Sequence, residues 1–131
     1  MAEAIANHLF STRNINARAL SFGVYAQDRT PASLNAIAAI QDYGLCLEAH
    51  KSRRITQKDL ADAHMVIAMT ARHKAVLSEI CAKSIDKIHT FDELCNCGDI
   101  TDPFGGDAAI YLDCAAQIKN CIENIDWEIY I

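Results

Sequence analysis

Asp102 lies in the part of the sequence that most favours acid–base chemistry. In the stretch TDPFGGDAAIY it directly precedes Pro103, whose ring holds Asp102 away from helical geometry. Gly105 and Gly106 then let the chain turn before a helix that Asp107 can cap. A carboxylate on such a loop can donate a proton and take one back, so Asp102 is a candidate general acid. The alternative is an ordinary solvated aspartate in a turn.

Six cysteines offer a thiol that could attack phosphorus. A thiolate used in this way lies in a Cys-x5-Arg loop, where backbone N–H groups lower the thiol pKa and the arginine binds two phosphate oxygens. No arginine follows any of the six cysteines at this spacing. The residues found there are Ser52, Lys87, Thr101, Pro103, Asn120 and Trp127. The sequence therefore predicts no nucleophile of this type within residues 1–131.

The spacing of cysteine and histidine predicts no metal site. Cys95 and Cys97 form a Cys-x-Cys pair, but a structural zinc site needs a second pair of ligands, so we interpret them as a thiol pair in a loop. The five histidines show neither His-x3-His nor His-Glu-x-x-His spacing. Cys114 and Cys121 recur at helical spacing among apolar residues, which predicts that both belong to the core.

Composition predicts one domain over residues 1–131, because 131 residues with 51% hydrophobic content can form one core but not two. A net charge of −5 argues against nucleic acid or an anionic membrane as a partner. The one local basic group is Lys51, Arg53 and Arg54. We expect a cytoplasmic protein, because the sequence has no membrane-spanning run or secretion signal and its cysteines do not form a disulfide framework.

Helical and strand patterns alternate along the chain. The predicted helices are MAEAIANHLF, DRTPASLNAIAAIQDYG, RITQKDLADA, ARHKAVLSEICAKS and DAAIYLDCAAQIKNCIENI, and the predicted strands are INARALSFGV, HMVIAM and DKIHTF. We interpret DELCNCGDITDPFGG as a loop. Alternation of this kind implies parallel strands joined by helical crossovers, and so a single α/β, three-layer, doubly wound domain.

Capping residues give the expected bounds of two helices. Thr30 is the predicted N-cap of the second helix, with Pro31 at its first position and Gly44 just past its end. Thr56 and Asp59 have the spacing of a capping box for the third helix. In the first helix, the pattern places Ala4, Ile5, His8 and Leu9 on one face.

Three stretches together resemble the low-molecular-weight protein phosphatase family: MAEAIANHLF, HKSRRITQKDLADAHMVIAMTARHK and DPFGGDAAIY. The resemblance covers nearly the whole chain, in order. In that family a Cys-x5-Arg-Ser-Pro loop runs directly into Met-Ala-Glu-Ala, and the sheet has four parallel strands in the order 2-1-3-4. Met1 matches the residue after the loop. The resemblance therefore implies that the first, central strand, the nucleophilic cysteine and the phosphate-binding arginine are missing from residues 1–131.

The resemblance also assigns roles to particular residues. Asp102 matches the acid that protonates the leaving group and then activates water, and Phe104 would form a wall of the substrate mouth. His50 matches a histidine that braces the catalytic loop, and Ser21 lies where the second strand approaches that loop. Thr70 stands where tyrosine phosphatases carry Asp and, with Phe104, is similar to the bacterial protein-arginine phosphatase branch.

Local alternatives remain for three of these residues. Phe104 would otherwise be an exposed loop aromatic, and His50 a half-exposed histidine in a turn. For Thr70 we favour a helix N-cap over a role at the site.

The resemblance implies an enzyme without a cofactor that hydrolyses phosphoarginine or phosphotyrosine on proteins through a cysteinyl-phosphate. We expect residues 1–131 alone to be inactive, because they contain the acid but no nucleophile. The alternative is a non-catalytic, phosphatase-like binding or regulatory module, for which we consider dimerisation across the open sheet. A receiver-type signalling domain of similar topology is less favoured, because the early strands lack an acidic cluster for Mg²⁺.

Overall fold

Two parallel strands and seven α-helices form the fold in a computed structural model that describes all 131 residues. The elements in chain order are α1 (Ala2–Thr12), α2 (Leu34–Gln41), α3 (Gln57–Asp62), β1 (Val66–Ala68), α4 (Ala71–Ile80), a 3-10 helix (Ala82–Lys87), β2 (Ile88–Thr90), α5 (Phe91–Cys95), α6 (Ala108–Asn124) and α7 (Trp127–Tyr130). None of the helices combines the length and the apolar character needed to cross a membrane.

The sheet consists of β1 and β2, which pair in parallel with Val66 opposite Ile88 and Ala68 opposite Thr90. The chain passes from β1 to β2 through α4 and the 3-10 helix. This β1–α4–β2 unit confirms the predicted parallel strands with a helical crossover. Both strands are three residues long, shorter than the runs HMVIAM and DKIHTF from which they were predicted.

Helices cover both faces of the sheet. Along β1, Ile67 packs against one hydrophobic cluster, whereas Val66 and Ala68 belong to another on the opposite face, since successive side chains of a strand point to opposite sides. The first cluster joins α1, α2, α5 and α6, and the second joins α3, α4 and the sheet. The arrangement is the three-layer α/β fold expected from the sequence.

The larger core forms where α1 and α2 pack against α6. On α6 the buried residues recur every three or four positions, including Cys114, Ile118 and Cys121, and so form one apolar face. The prediction that Cys114 and Cys121 belong to the core is confirmed. On α1 the buried face is one residue away from the predicted one, because Phe10 is buried against the Trp127 ring whereas His8 is exposed.

The strand predicted to end at Gly23 is absent. Residues 15–22 are not in a sheet, and Gly23 forms only an isolated parallel bridge with Arg54. A strand needs a neighbouring strand for its backbone hydrogen bonds, and here side chains of α1 take that place. The Asn7 amide accepts from the N–H of Ala19 at 2.8 Å and donates to its carbonyl at 3.0 Å.

The second helix begins later than predicted. Its N-cap is Ser33, whose Oγ accepts the Ala36 N–H at 3.2 Å, and not Thr30. Pro31 lies outside the helix, in an isolated antiparallel bridge with Lys51, so the pairing of this segment with residues near Lys51 prevails over the local Pro signal. Gly44 follows the helix with φ of +72°, a conformation that favours glycine, as expected for its place past the end.

Two other local predictions have different outcomes. The capping box of Thr56 and Asp59 at α3 is confirmed. The interpretation of DELCNCGDITDPFGG as one continuous loop is wrong at its start, where Phe91–Cys95 forms α5. A second capping box, in which Thr90 Oγ1 accepts the Glu93 N–H and the Glu93 carboxylate accepts the Thr90 N–H, explains why this short helix forms.

Candidate active site

Asp102 lies in a loop attached to the carboxyl end of β1. The N–H of Ile100 donates to the carbonyl oxygen of Met69, the residue just after β1, with an N···O distance of 2.9 Å. The Ala71 N–H also donates to the Asp99 carboxylate at 3.0 Å. In α/β sheets, ligands bind outside the carboxyl ends of the strands, so the Asp102 loop lies at the edge where a site is expected.

The conformation of the loop is set by its own residues. Asp102 Oδ1 accepts the Phe104 N–H at 3.0 Å, and the Gly106 N–H donates to the Pro103 carbonyl at 2.8 Å. Gly105 has φ of +77°, in the left-handed region. A Cβ at Gly106 would lie 2.9 Å from the Pro103 oxygen, so the turn has no room for a side chain there. The prediction that both glycines allow this turn is confirmed.

Both proposed functional side chains of this loop are exposed. Asp102 is exposed, and Phe104, two residues further along the chain, is 87% exposed. Directly after the turn, Asp107 caps α6, its Oδ1 accepting the Ile110 N–H at 3.0 Å, as predicted. The loop therefore exposes a carboxylate and an aromatic ring to solvent.

Cys114 lies behind the Asp102 loop, an arrangement that the sequence did not predict. The buried Cys114 Sγ lies 3.7 Å from the Thr101 carbonyl oxygen, to which its thiol donates. Burial raises the pKa of Cys114, the charge of the Met1 amino group opposes this, and the Asp102 carboxylate raises it further. A thiol held protonated in this way is a poor nucleophile. Helical spacing in the sequence predicted that Cys114 is buried, but it gave no sign that Cys114 contacts the Asp102 loop.

The hydroxyl of Thr70 is used as a helix cap. Thr70 Oγ1 accepts the His73 N–H at 3.1 Å at the start of α4. The favoured interpretation of Thr70 as an N-cap is confirmed. Its position one residue after Met69, which binds the loop backbone, also places Thr70 at the carboxyl edge of the sheet.

Ser21 and His50 lie in different surroundings. Ser21 donates from both its N–H and its hydroxyl to Glu3 Oε2, at 2.7 and 2.6 Å, and so ties residues near Gly23 to the first turn of α1. His50 is partly buried, and its N–H donates to the Leu47 carbonyl at 3.1 Å. No hydrogen bond joins Ser21 or His50 to Asp102.

The basic group predicted from the sequence lines an open cleft separate from the Asp102 loop. Lys51, Arg53 and Arg54 contribute to its wall together with Arg29. The Arg53 guanidinium lies over the Phe22 ring, 4.5 Å from its centroid. Neither Asp102 nor Phe104 lines this cleft. Asp28 and Asp59 also line the cleft, so its four basic residues exceed its acidic ones by two, and this charge belongs to the surface formed by residues 22–59.

The six cysteines are all free, and three of them form a cluster. The Sγ atoms of Cys95, Cys97 and Cys121 lie within 4.8 Å of one another. The interpretation of the first two as a loop thiol pair is wrong for Cys95, which ends α5, and is incomplete for Cys97, which lies in the loop after it, because a third thiol on α6 joins both. The sequence shows a Cys-x-Cys pair and a distant helical cysteine, but nothing that links them.

Comparison with known proteins identifies the family. A family model described as "Low molecular weight phosphotyrosine protein phosphatase" matches residues 1–129. The chain belongs to the low-molecular-weight protein phosphatase family. The resemblance found in the sequence is thereby confirmed, and members of this family are phosphatases. The α/β architecture described above is the low-molecular-weight phosphatase fold.

Similar proteins include enzymes named as arginine phosphatases and enzymes named as tyrosine phosphatases. A protein-arginine-phosphatase of Bacillus subtilis is 28% identical over 127 residues, which cover 95% of this chain and 84% of that protein. The crystal structure of a YwlE mutant from Bacillus subtilis matches with a TM-score of 0.91 at 27% identity, covering 98% of this chain and 87% of that one. The crystal structure of a low-molecular-weight protein tyrosine phosphatase from T. tengcongensis matches with a TM-score of 0.89 at 30% identity. The match covers 94% of this chain and 85% of that one.

Proposed function

We propose that residues 1–131 supply the general acid and the substrate mouth of a protein phosphatase that works through a cysteinyl-phosphate. The observation that carries this proposal is the position of Asp102, on a tightly built turn beside the carboxyl edge of the β1–β2 sheet. The exposed Phe104 ring next to it offers a flat surface for a planar phosphorylated side chain. Family membership gives the reaction class.

The proposed reaction has two steps in which Asp102 reverses its role. A thiolate attacks phosphorus, the bond from phosphorus to the substrate nitrogen or oxygen breaks, and Asp102 donates its proton to that leaving atom. The Asp102 carboxylate then takes a proton from water, the resulting hydroxide attacks phosphorus, and the sulfur–phosphorus bond breaks to release phosphate. Neither step uses a cofactor.

The thiolate must come from a Cys-x5-Arg loop, and no cysteine of residues 1–131 has an arginine at that spacing. Cys114, the thiol behind the Asp102 loop, is buried with a raised pKa. Cys81 has a lowered pKa through its hydrogen bond with Ser84, but it belongs to the cluster on the other face of the sheet. We therefore propose that residues 1–131 by themselves are inactive.

Phosphoarginine on proteins is the substrate that we favour over phosphotyrosine. Support comes from Thr70 and Phe104, which match the arginine phosphatase branch, and from relatives named as arginine phosphatases.

Two further residues are proposed to support the catalytic loop: His50, and Ser21 through its hydrogen bonds to Glu3 in the first turn of α1. The proposed compartment is the cytoplasm, in keeping with six free thiols.

A non-catalytic binding module is the second candidate. The observation that favours it is that none of the six thiols combines the Cys-x5-Arg spacing with a place beside Asp102. Such a module would bind phosphorylated proteins without turnover, and could dimerise across the edge of the two-stranded sheet. The codons ahead of Met1, read in frame, separate the candidates. An apolar run followed by Cys-x5-Arg-Ser-Pro favours the enzyme, and a stop codon close upstream favours the module.

The activity test uses a chimeric chain with the family's first strand and Cys-x5-Arg-Ser-Pro loop placed ahead of Met1. We expect hydrolysis of phosphoarginine peptides, and a fall in kcat of about 10² to 10⁴ in Asp102→Asn. Asn retains an oxygen that can accept the Phe104 N–H, so the turn is preserved. Asp107→Asn is the matched control, because it removes the same charge nearby and Asn is an equally good helix cap.

The outcomes are distinct. An Asp102→Asn rate within about threefold of the parent would refute the role of this carboxylate, since general acid catalysis is worth at least about 10²-fold. Aryl phosphate turnover by residues 1–131 above a variant with all six cysteines replaced by serine would refute inactivity.

A separate variant tests the substrate preference. Thr70→Asp keeps an N-cap while introducing the residue that tyrosine phosphatases carry there, and it should lower the preference for phosphoarginine over phosphotyrosine. An unchanged preference would exclude Thr70 as its determinant.

A further inference from the structure

Three thiols, from α5, the loop after it and α6, converge in the fold. Cys95 is the last residue of α5, Cys97 follows two residues later, and Cys121 lies on α6. Their Sγ atoms are all within 4.8 Å of one another. Cys121 is 1% exposed, whereas Cys95 and Cys97 are partly buried, so the cluster reaches from the core towards the surface.

The backbone between the elements holds Cys95 and Cys97 in place. Asn96 ends α5 in the left-handed conformation with φ of 51°, and Gly98 follows with φ of +74°. The Gly98 N–H donates to Asp92 Oδ1 at 2.7 Å, which fastens the turn back onto α5. This tight turn brings two cysteines that are separated by one residue to the same third thiol.

The donor set is chemically uniform. Thiolate sulfur is a soft ligand that favours ions such as Zn²⁺ and Cu⁺, and a zinc ion held by three protein ligands binds water in its fourth position. Sulfur atoms bound tetrahedrally to one zinc lie about 3.8 Å apart, because each Zn–S bond is about 2.3 Å. The present separations need to close by only about 1 Å at most, which side-chain rotation can supply.

We propose that Cys95, Cys97 and Cys121 form a binding site for a thiophilic divalent cation of the zinc class, with three thiolate ligands and solvent in the fourth position. Binding releases the thiol protons to solvent, including the one that Cys95 donates to the Phe91 carbonyl at 3.0 Å. The sequence prediction of no metal site rested on the lack of a second ligand pair. The fold supplies a third ligand from α6.

The site has a structural consequence for the candidate active site. Cys97 and Cys121 flank, in the chain, the segment that contains Asp102 and Phe104. An ion bound to both would fasten the end of α5 to α6 and so join the two ends of that segment. Since the complete site exists only in the folded chain, binding should raise the melting temperature with increasing metal concentration.

The test uses the reduced 131-residue chain, freed of metal with a chelator and titrated with Zn²⁺ and, in parallel, with Cd²⁺. We expect one ion per chain, ultraviolet thiolate-to-cadmium charge-transfer absorption and a higher melting temperature. Cys97→Ser, at a partly exposed position, should weaken binding more than about 100-fold, because even residues that only support a ligand contribute about 10- to 100-fold. Cys46→Ser is the matched control, since Cys46 is exposed and outside the cluster.

Several results would overturn the proposal: no saturable binding, binding without charge-transfer absorption, or an equal loss in Cys46→Ser. Formation of a disulfide within the cluster under mild oxidation, without metal binding by the reduced chain, would indicate a redox pair instead. Cys121→Ala adds a second ligand test, and if it fails to fold, Cys97→Ser still decides. None of these readouts depends on phosphatase activity, so the metal site and the proposed function fail independently.

Discussion

The two ends of the segment between α5 and α6 are built in opposite ways. At the α6 end, the Asp102 turn is exposed and is held by hydrogen bonds between residues two or three positions apart. At the α5 end, Cys95 and Cys97 meet Cys121, which lies more than twenty residues further along the chain and is buried. One end is determined by local turn chemistry and the other by the packing of helices.

The two ends therefore differ in exposure to solvent and in packing against the core. Asp102 and the Phe104 ring on the turn are exposed to solvent. The thiol cluster instead packs against the core that α6 shares with α1 and α2. Changes at the turn should therefore affect rate more than folding, and changes near the cluster should affect folding more than rate. Four measurements examine that division.

The largest effect on folding is expected from Ile122→Ala on α6. Ile122 is 2% exposed and lies next to Cys121, so truncation leaves a cavity and should cost about 2–5 kcal/mol in the free energy of unfolding, measured by urea denaturation. Ile110→Ala, on the turn end of the same helix where Ile110 is 49% exposed, is the control and should cost less than about 1 kcal/mol. Equal costs would remove the contrast between the two ends.

The next effect is on catalysis at the turn. In the chimeric chain, Gly106→Ala places a Cβ 2.9 Å from both the Pro103 oxygen and Ile110 Cγ2, so the Asp102 turn must shift. Because a displacement of about 1 Å can cost about 10²-fold, kcat should fall by roughly that factor. The double variant Gly106→Ala with Ile110→Ala removes the contact with Ile110 Cγ2, keeps those with the Pro103 oxygen and the Cβ of residue 110, and should recover part of the rate. A Gly106→Ala enzyme at full rate would show that the turn tolerates a side chain.

A smaller effect is expected at the start of α4. Thr70→Ala removes the oxygen that accepts the His73 N–H and should lower the free energy of unfolding by about 1 kcal/mol. Thr70→Asp restores a cap and should recover most of this loss in urea denaturation. If Thr70→Ala and Thr70→Asp were equally destabilised, the cap would not be the contribution of Thr70 to stability.

The smallest effect concerns pH and α5. Hydrogen bonds from Lys74 Nζ and the Thr90 backbone hold the pKa of Glu93 below its usual value. A carboxyl with a lowered folded-state pKa stabilises the fold above its unfolded pKa and loses that contribution as the pH falls through the folded one. The loss should begin as the pH falls below about 4.5 and stay under about 1 kcal/mol, because the pair is partly exposed.

The measurement for this pair is the difference in unfolding free energy between the parent and Glu93→Gln across that pH range. Glu128→Gln, at an exposed position on α7 without an ion-pair partner, provides the control. A parent-minus-variant difference that does not change with pH would show that Glu93 gains nothing from being ionised.

Local signals in the sequence predicted several parts of the fold and the site. The cap at Asp107, the capping box of Thr56 and Asp59 and the turn at Gly105 and Gly106 are all present. Each depends on atoms within a few residues of one another, so spacing alone is sufficient. The family was also recognisable from motifs, and the family model confirms it.

Other predictions failed where distant partners decide the structure. Residues 15–22 have the apolar character of a strand but bind Asn7 and Glu3 of α1 instead of a sheet. Thr30 and Pro31 have the pattern of a helix start, but Pro31 pairs with Lys51 and the helix begins after Ser33. In each case a contact from elsewhere in the chain outweighs a local preference of a few tenths to about one kcal/mol.

The sequence by itself determined the family, the alternation of helices and strands, and the turn at Gly105 and Gly106 that carries Asp102, because short-range hydrogen bonds and motifs carry that information. Only the tertiary structure decided that the Cys114 thiol contacts the Thr101 carbonyl in the Asp102 loop, and that the Cys121 thiol lies within 4.8 Å of those of Cys95 and Cys97. These neighbours are set by how α6 packs on α1, α2 and α5. Such packing depends on the shape of the whole core, which no spacing of residues along the chain encodes.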